Sequence, residues 1–242
     1  MRIDTVMAAA CRRLTSLPGG GTASQRRLAR MDAQARALLV SGTTELGFML
    51  DDGQLDQLLA LLDLVVEWNQ KFNLTAITEP TAMVRKHLLD SLTVQPWITG
   101  PFVTDVGTGA GFPGLPLAIV NPRLRFTLID SVAKKARFVE LVARTLGLKE
   151  VEVVCSRAET LKPAQRATTV VSRALSTVPE FVRQAGHLCS HAGRMLAMKG
   201  RDPAAELTDL PKGWLVKSVN RLAVPGLPDE RHLVVLEREP RP

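Results

Sequence analysis

From Phe102 onward the sequence alternates short apolar runs with stretches of helical periodicity. Its first strand-to-helix joint is the run Asp105-Val-Gly-Thr-Gly-Ala-Gly-Phe-Pro-Gly114. That alternation restricts the fold to α/β: an open, mostly parallel sheet with helices on both faces. Strands are expected at 102–106, 125–129, 151–155, from 169 to 171 and at 194–198. Helices are expected at 115–120, 134–146 and 177–189. The segments 215–224 and 232–239 read as a closing antiparallel pair around Pro225-Gly226.

In such a sheet a ligand binds beyond the carboxyl ends of the strands, at the switch point. The loop after 102–106 lies there. Gly107, Gly109 and Gly111 permit positive φ and close backbone approach. Asp105 precedes them, and Asp130 closes the next strand, where a carboxylate can accept both hydroxyls of an adenosine ribose. This set points to S-adenosylmethionine. A nicotinamide dinucleotide is the rival, because Gly109-Ala-Gly111-Phe-Pro-Gly114 matches its fingerprint and Asp130 falls at the expected spacing. Against it, an acid at Asp105 suits a cationic amino-acid end and not a pyrophosphate. Pro113 and Pro116 also stiffen the helix entry. A purely structural turn is the third reading.

Ahead of this core, residues 31–100 read as a helical extension. A short helix is expected from Met31 to Val40, ended near Gly42. A longer one starts at Asp51-Asp52, with Leu55, Leu58, Leu59, Leu62 and Val65 on its packing face, and a third runs from Thr81 to Leu92. Residues 1–30, with six arginines and Gly19-Gly-Gly21, read as an unstructured basic arm. The domain reading is therefore arm 1–30, extension 31–100 and cofactor-binding core 101–242.

A net charge of +7 favours a polyanionic partner. Three cysteines without regular spacing give neither a disulfide framework nor a zinc site, and no metal is expected. Cys155 reads as core, Cys11 lies in the arm, and Cys189 follows a helix. No apolar run is long enough to cross a bilayer, so the expected location is a reducing cytoplasm. Apart from Cys155, which lies near Arg157, none of the cysteines has the electropositive surroundings of the nucleophile that pyrimidine carbon-5 methylation needs. After the fourth strand the chain reads Ser172-Arg-Ala-Leu175, not the Asn/Asp-Pro-Pro-aromatic loop of exocyclic-amine chemistry. A guanine N7 has an in-plane lone pair and no proton to lose, so positioning and charge suffice there. Arg157, Arg173, Lys199 and Arg201 are expected to rim one mouth at the strand ends, with Arg173, Arg157 and Lys199 acting by position and charge.

These segments together resemble a known family. Lys71-Phe-Asn-Leu-Thr75, Arg85-Lys-His-Leu-Leu-Asp-Ser91, the glycine loop, Leu128-Ile-Asp-Ser131, Ser156-Arg-Ala-Glu159, Val171-Ser-Arg-Ala174, Ala197-Met-Lys-Gly200 and Arg231-His-Leu-Val-Val235 occur in the order of the bacterial small-subunit ribosomal RNA guanine-N7 methyltransferases, the RsmG or GidB family. The resemblance spans roughly 31–239. It implies a class I methyltransferase fold with an N-terminal helical extension and a 7-methylguanosine product in the decoding region of 16S rRNA; the expected partner is 16S rRNA or an assembling 30S subunit, and a monomer is expected. It also implies that Gly107, Phe112, Ala158, Glu159 and Arg173 contact the cofactor and that Asp130 holds its ribose. His87, Lys199, Arg201 and Arg231 are the expected RNA contacts. One departure is Thr168-Thr169, where the family often carries an acid, which puts a hydrogen bond near the site in question. A small-molecule methyltransferase and a non-catalytic RNA-binding module are the remaining readings.

Overall fold

The computed structural model describes residues 23–173 and 176–240, with side chains from residue 33 onward. The chain opens with α1 (Ala23–Glu45) and α2 (Asp52–Phe72). Next come α3 (Pro80–Met83), a π-helical turn (Val84–Leu89) and α4 (Asp90–Leu92). The sheet region runs β1 (Phe102–Val106), α5 (Gly114–Val120), β2 (Arg125–Asp130), α6 (Ala133–Thr145), β3 (Val151–Cys155) and β4 (Ala167–Arg173). It closes with α7 (Val178–Ala185), β5 (Cys189–Lys199), β6 (Trp214–Arg221) and β7 (His232–Arg238). The sheet order is β3-β2-β1-β4-β5-β7-β6, parallel except for β7, which runs antiparallel to both neighbours. The alternation read from sequence is thus a doubly wound sheet with its switch point between β1 and β4.

Alternate residues of each strand feed two cores. Val103, Phe126, Leu128, Val171 and Leu196 face α2, α5, α6 and the N-terminal helices. Ile129, Val170, Met195, Val234 and Leu236 face α7. The helical extension is therefore packed into the same core as one face of the sheet. Its anchor, α2, starts where the sequence places it, because Asp51 and Gln54 form a reciprocal capping box.

The structure departs from the sequence reading in four places. Of the expected arm 1–30, residues 23–30 belong to α1, while residues 1–22 and Cys11 lie outside the described residues. Gly42 does not end α1. It is a packing residue, since a Cβ there would stand 2.5 Å from Leu89 Cδ1. The helix expected at 81–92 is interrupted by the π turn. Finally, β5 begins at Cys189 and not at Arg194. Gly193 continues that strand because the Thr168 carbonyl abuts it, 2.8 Å from where a Cβ would sit. Among the described residues no helix is long and apolar enough to cross a membrane.

Candidate cofactor loop and substrate cleft

The loop after β1 is held from below. Gly107 and Thr108 N–H groups both donate to the Ile129 carbonyl, at 2.9 and 3.0 Å, which lays the loop over the end of β2. Gly107, Gly109 and Gly111 take φ of 70°, 63° and 92°, a region that side chains resist. Asp105 is fully buried. Its Oδ2 accepts from Thr108 Oγ1 (2.6 Å) and from the Gly114 N–H (2.9 Å), tying the loop to the first turn of α5. Oδ1 has no partner. Burial raises the Asp105 carboxyl to about 6, against the pull of those two donors. Asp130 ends β2 at the lip of the loop. Gly109 N–H donates to its Oδ2 (2.9 Å) and Val132 N–H to its Oδ1 (2.8 Å), which fixes the carboxylate plane while each oxygen keeps a free lone pair.

These groups fit S-adenosylmethionine. Asp105 offers an unpartnered acceptor toward a cationic amino group, and Asp130 a fixed carboxylate for two ribose hydroxyls. At Gly109 a Cβ would meet nothing nearer than the Gly107 carbonyl at 3.9 Å, so its face is open to a ligand. Ala158 is buried and Glu159 exposed in a single 3-10 turn after β3, flanking Asp130 on the far side from β1.

Phe112 joins the loop to a second feature. Its ring stacks on His87 at 4.6 Å and 13°, and the Arg173 guanidinium lies 5.4 Å from its centroid. His87 is 6% exposed. Its Nε2 is 3.0 Å from Thr75 Oγ1, and Thr75 is itself held through its backbone by the Asn69 side chain. Burial, then the charge on Arg173, lowers His87 to about 4, so the ring is neutral at pH 7. The Asn-Leu-Thr and His-Leu-Leu-Asp-Ser segments therefore brace one another across the π turn, a distortion that often marks functional sites.

Beside this stack a cleft of about 300 Å3 opens at the ends of β4 and β5, lined by Ile77, Asp90, Arg173, Met198, Leu222 and Arg231 among others. Asp90, on α4, was not singled out from the sequence. It is 2% exposed, yet its Oδ2 accepts from Arg173 Nη1 (2.9 Å) and its Oδ1 from Arg231 Nε (3.0 Å). Arg173 Nη1 also donates to the Lys86 carbonyl (2.9 Å).

The expected basic mouth divides. Arg173 and Lys199 do border one cleft, but Arg157 follows β3, with β2 and β1 between it and β4, and stands exposed on the cofactor side. Lys199 turns inward. Its Nζ meets Glu206 Oε2 and the Ser176 carbonyl, each at 2.9 Å, so it secures the segment ahead of α7. Arg201 is exposed just beyond the cleft. His87 reaches the cleft only along its edge, and Arg231 is held by Asp90. Thr168 and Thr169 sit at the opposite end of the sheet. Thr168 Oγ1 donates to the Phe102 carbonyl (2.8 Å) and Thr169 Oγ1 to the Thr99 carbonyl (2.8 Å), so the departure there removes no hydrogen bond from the site. Cys155 is exposed at the end of β3, which corrects its reading as core: the edge strand has no neighbour to cover it. Cys189 opens β5 and is buried, which pushes its thiol up to about 12. Ala174 and Leu175 lie outside the described residues.

Comparison with known proteins agrees with this geometry. The family model described as rRNA small subunit methyltransferase G matches residues 54–234. The ribosomal RNA small subunit methyltransferase G of Marinobacter nauticus is 45% identical over 203 residues, which cover 84% of this chain and 95% of the relative. That of Stenotrophomonas maltophilia is 46% identical over 206 residues, 85% of this chain and 96% of the relative. Among solved structures, TrmN from Thermus thermophilus aligns with a TM-score of 0.51 at 20% identity, covering 71% of this chain and 53% of that one. A SAM-dependent methyltransferase from Aquifex aeolicus aligns at 0.50 and 21%, covering 64% and 92%. These two structures share the fold.

Proposed function

The chain belongs to the rRNA small subunit methyltransferase G family, and from that premise we propose that it methylates N7 of one guanosine in the decoding region of 16S rRNA. It is an S-adenosylmethionine-dependent enzyme of small-subunit ribosomal RNA. When bound, the cofactor supplies an electrophilic methyl group on a sulfonium. Gly107, Gly109 and Phe112 form its bed, Asp130 holds the ribose, and Ala158 and Glu159 close its adenosine side. Arg173 sits between Phe112 and the cleft and orients what enters there.

One observation carries the choice of N7. Two of the titratable groups at the cleft are not placed as a general base: His87 is stacked on Phe112 with its Nε2 against Thr75, and both oxygens of Asp90 are engaged by arginines; His232, which also lines the cleft with its Nδ1 unpartnered, is the group whose replacement tests this reading. Attack by N7 needs no proton removed, so alignment of the base against the methyl group is what the site must supply. A folded A-form helix hides N7 in a narrow groove, which favours an accessible base in a loop or in a particle. The enzyme acts as a cytoplasmic monomer on free 16S rRNA or on assembling 30S subunits.

The test is transfer of label from S-adenosylmethionine to 30S subunits and to naked 16S rRNA from a strain lacking this gene, followed by mass mapping of the modified nucleotide. A single 7-methylguanosine is expected. Absence of transfer to both substrates, or label on another atom, would defeat the reading. Acceptance by a metabolite but not by RNA would support a small-molecule enzyme.

A further inference from the structure

We propose that Asp90 is a positioning residue that holds Arg173 and Arg231 in ion pairs, so that the cleft meets the methylated base with most of its positive charge offset. The inference rests on the N7 reading above.

The reaction poses an electrostatic problem. The N7 lone pair forms the new N–C bond, the S–C bond breaks with its electrons left on sulfur, and the positive charge passes to the guanine ring. Reactant and product states are therefore both cationic at the point where an RNA enzyme also needs arginines and lysines. A free guanidinium beside the ring would oppose the transfer, and it would oppose it more as the desolvated site raises every charge–charge interaction.

The cleft answers this by pairing. Four cationic side chains line it: Lys86, Arg173, Lys199 and Arg231. Each has a carboxylate within reach. Lys86 meets Asp229 at 3.3 Å, and Lys199 meets Glu206 at 2.9 Å. Arg231 meets Asp90 at 3.0 Å and Asp229 at 3.9 Å, and Arg173 meets Asp90 at 2.9 Å. His87 stays neutral. Asp90 is the pivotal member because it serves two guanidiniums at once, from strands on both sides of β5, and its side chain is 3% exposed where theirs are 21%. Neutralising it would turn two paired cations loose in one step. Elsewhere the chain leaves cations unpaired: no described carboxylate lies within ion-pair distance of Lys134, Lys135, Arg137, Arg144 or Arg157. Ion pairs also occur elsewhere, as at Arg36, Arg125 and Arg194, but at the cleft every lining lysine and arginine has one.

The experiment compares wild type with Asp90→Asn, Asp90→Glu, Arg231→Gln and Asp90→Asn/Arg231→Gln, each checked for folding by circular dichroism. Two quantities are read: methyl transfer to unmodified 30S subunits, split into kcat and KM, and the ratio of affinities for methylated and unmethylated subunits. Asp90→Asn should lower kcat by about tenfold to a hundredfold with KM unchanged or lower. It should shift the affinity ratio against methylated subunits by a similar factor. The double variant should recover part of both losses, and Asp90→Glu should stay within about tenfold of wild type. Arg231→Gln, which leaves Asp90 paired one-to-one with Arg173 and lowers the positive charge at the cleft, should move the affinity ratio the opposite way, so the idea stays testable even if Asp90→Asn does not fold. An affinity ratio unmoved in both Asp90→Asn and Arg231→Gln would overturn the proposal, as would folded Asp90→Glu failing as badly as Asp90→Asn. Wild-type protein that transfers nothing to subunits would instead bring down the function reading, and this inference with it.

Discussion

Gly114 has no positive φ, yet replacing it with alanine should damage the loop. A Cβ at Gly114 would run into Leu128 Cδ2 and stand 2.7 Å from Asp105 Oδ2. Leu128 and Asp105 are both fully buried, so neither can swing into solvent. Overpacking of this kind costs roughly 1–3 kcal/mol. The same methyl pushes the Gly114 N–H off the Asp105 carboxylate, now 2.9 Å away, and a hydrogen bond to a charged group is worth roughly 1.5–3 kcal/mol. Alanine returns up to about 1 kcal/mol of helix preference at the start of α5. The net is a loss of about 3 kcal/mol, a large share of the roughly 5–15 kcal/mol that holds a domain together. Urea unfolding should show a lower midpoint with an unchanged slope, and the melting temperature should fall by roughly 10 °C. Stability within about 1 kcal/mol of wild type would refute the claim that Asp105 and Leu128 leave no room.

Gly109→Val acts at the open face of the loop: valine fills the space above it and also strains a backbone held at φ 63°, so calorimetry should find cofactor binding abolished, and retained affinity would contradict the placement of the cofactor. In acid, His87 and Asp105 should oppose each other. The lowered His87 contributes stability present above its unfolded value and lost as pH falls from 6.5 toward 4, whereas the raised Asp105 costs stability as pH rises from 3.8 toward 6, each by roughly 3 kcal/mol. Denaturation between pH 4 and 6.5 should thus be nearly flat for wild type and steepen for Asp105→Asn; equal slopes would argue against the pairing. Arg137→Ala and Arg157→Ala should each reduce the salt dependence of RNA binding by about one unit of slope, while Lys199→Ala, already tied to Glu206, should leave that slope unchanged and lower stability.

What the sequence disclosed follows from range. The strand–helix alternation, the capping box at Asp51 and Gln54, and the Asp105, Gly107 and Asp130 set all act through neighbours in the chain or in the next strand, so their spacing reveals them. Asp90 was in plain view within His-Leu-Leu-Asp-Ser. Its partners lie 83 and 141 residues away, and no local pattern announces such a bridge. Lys199 misled for the same reason, since nothing beside it tells that Glu206 will cancel its charge. The π turn leaves no mark either, because Val84–Leu89 is compatible with an ordinary helix. Gly42 reads as a stop because glycine more often ends elements, and the strand through Gly193 reads as starting one residue later, at Arg194. Here each is present because a neighbour, Leu89 or the Thr168 carbonyl, occupies the space of a side chain.

The net charge of +7 named a class of partner without saying where the partner touches. The ion pairs supply the missing half. A cleft that takes a cationic donor and leaves a cationic base gains nothing from surplus arginine, and its four cations are largely offset by three carboxylates, Asp90, Asp229 and Glu206. Attraction for RNA phosphate must then come from charges that are not matched. Those include the stripe Lys134, Arg137 and Arg144, spaced to share one face of α6, together with Arg157 after β3. This face lies beyond Asp130 toward the β3 edge, with β2 and β1 between it and the strands that border the cleft.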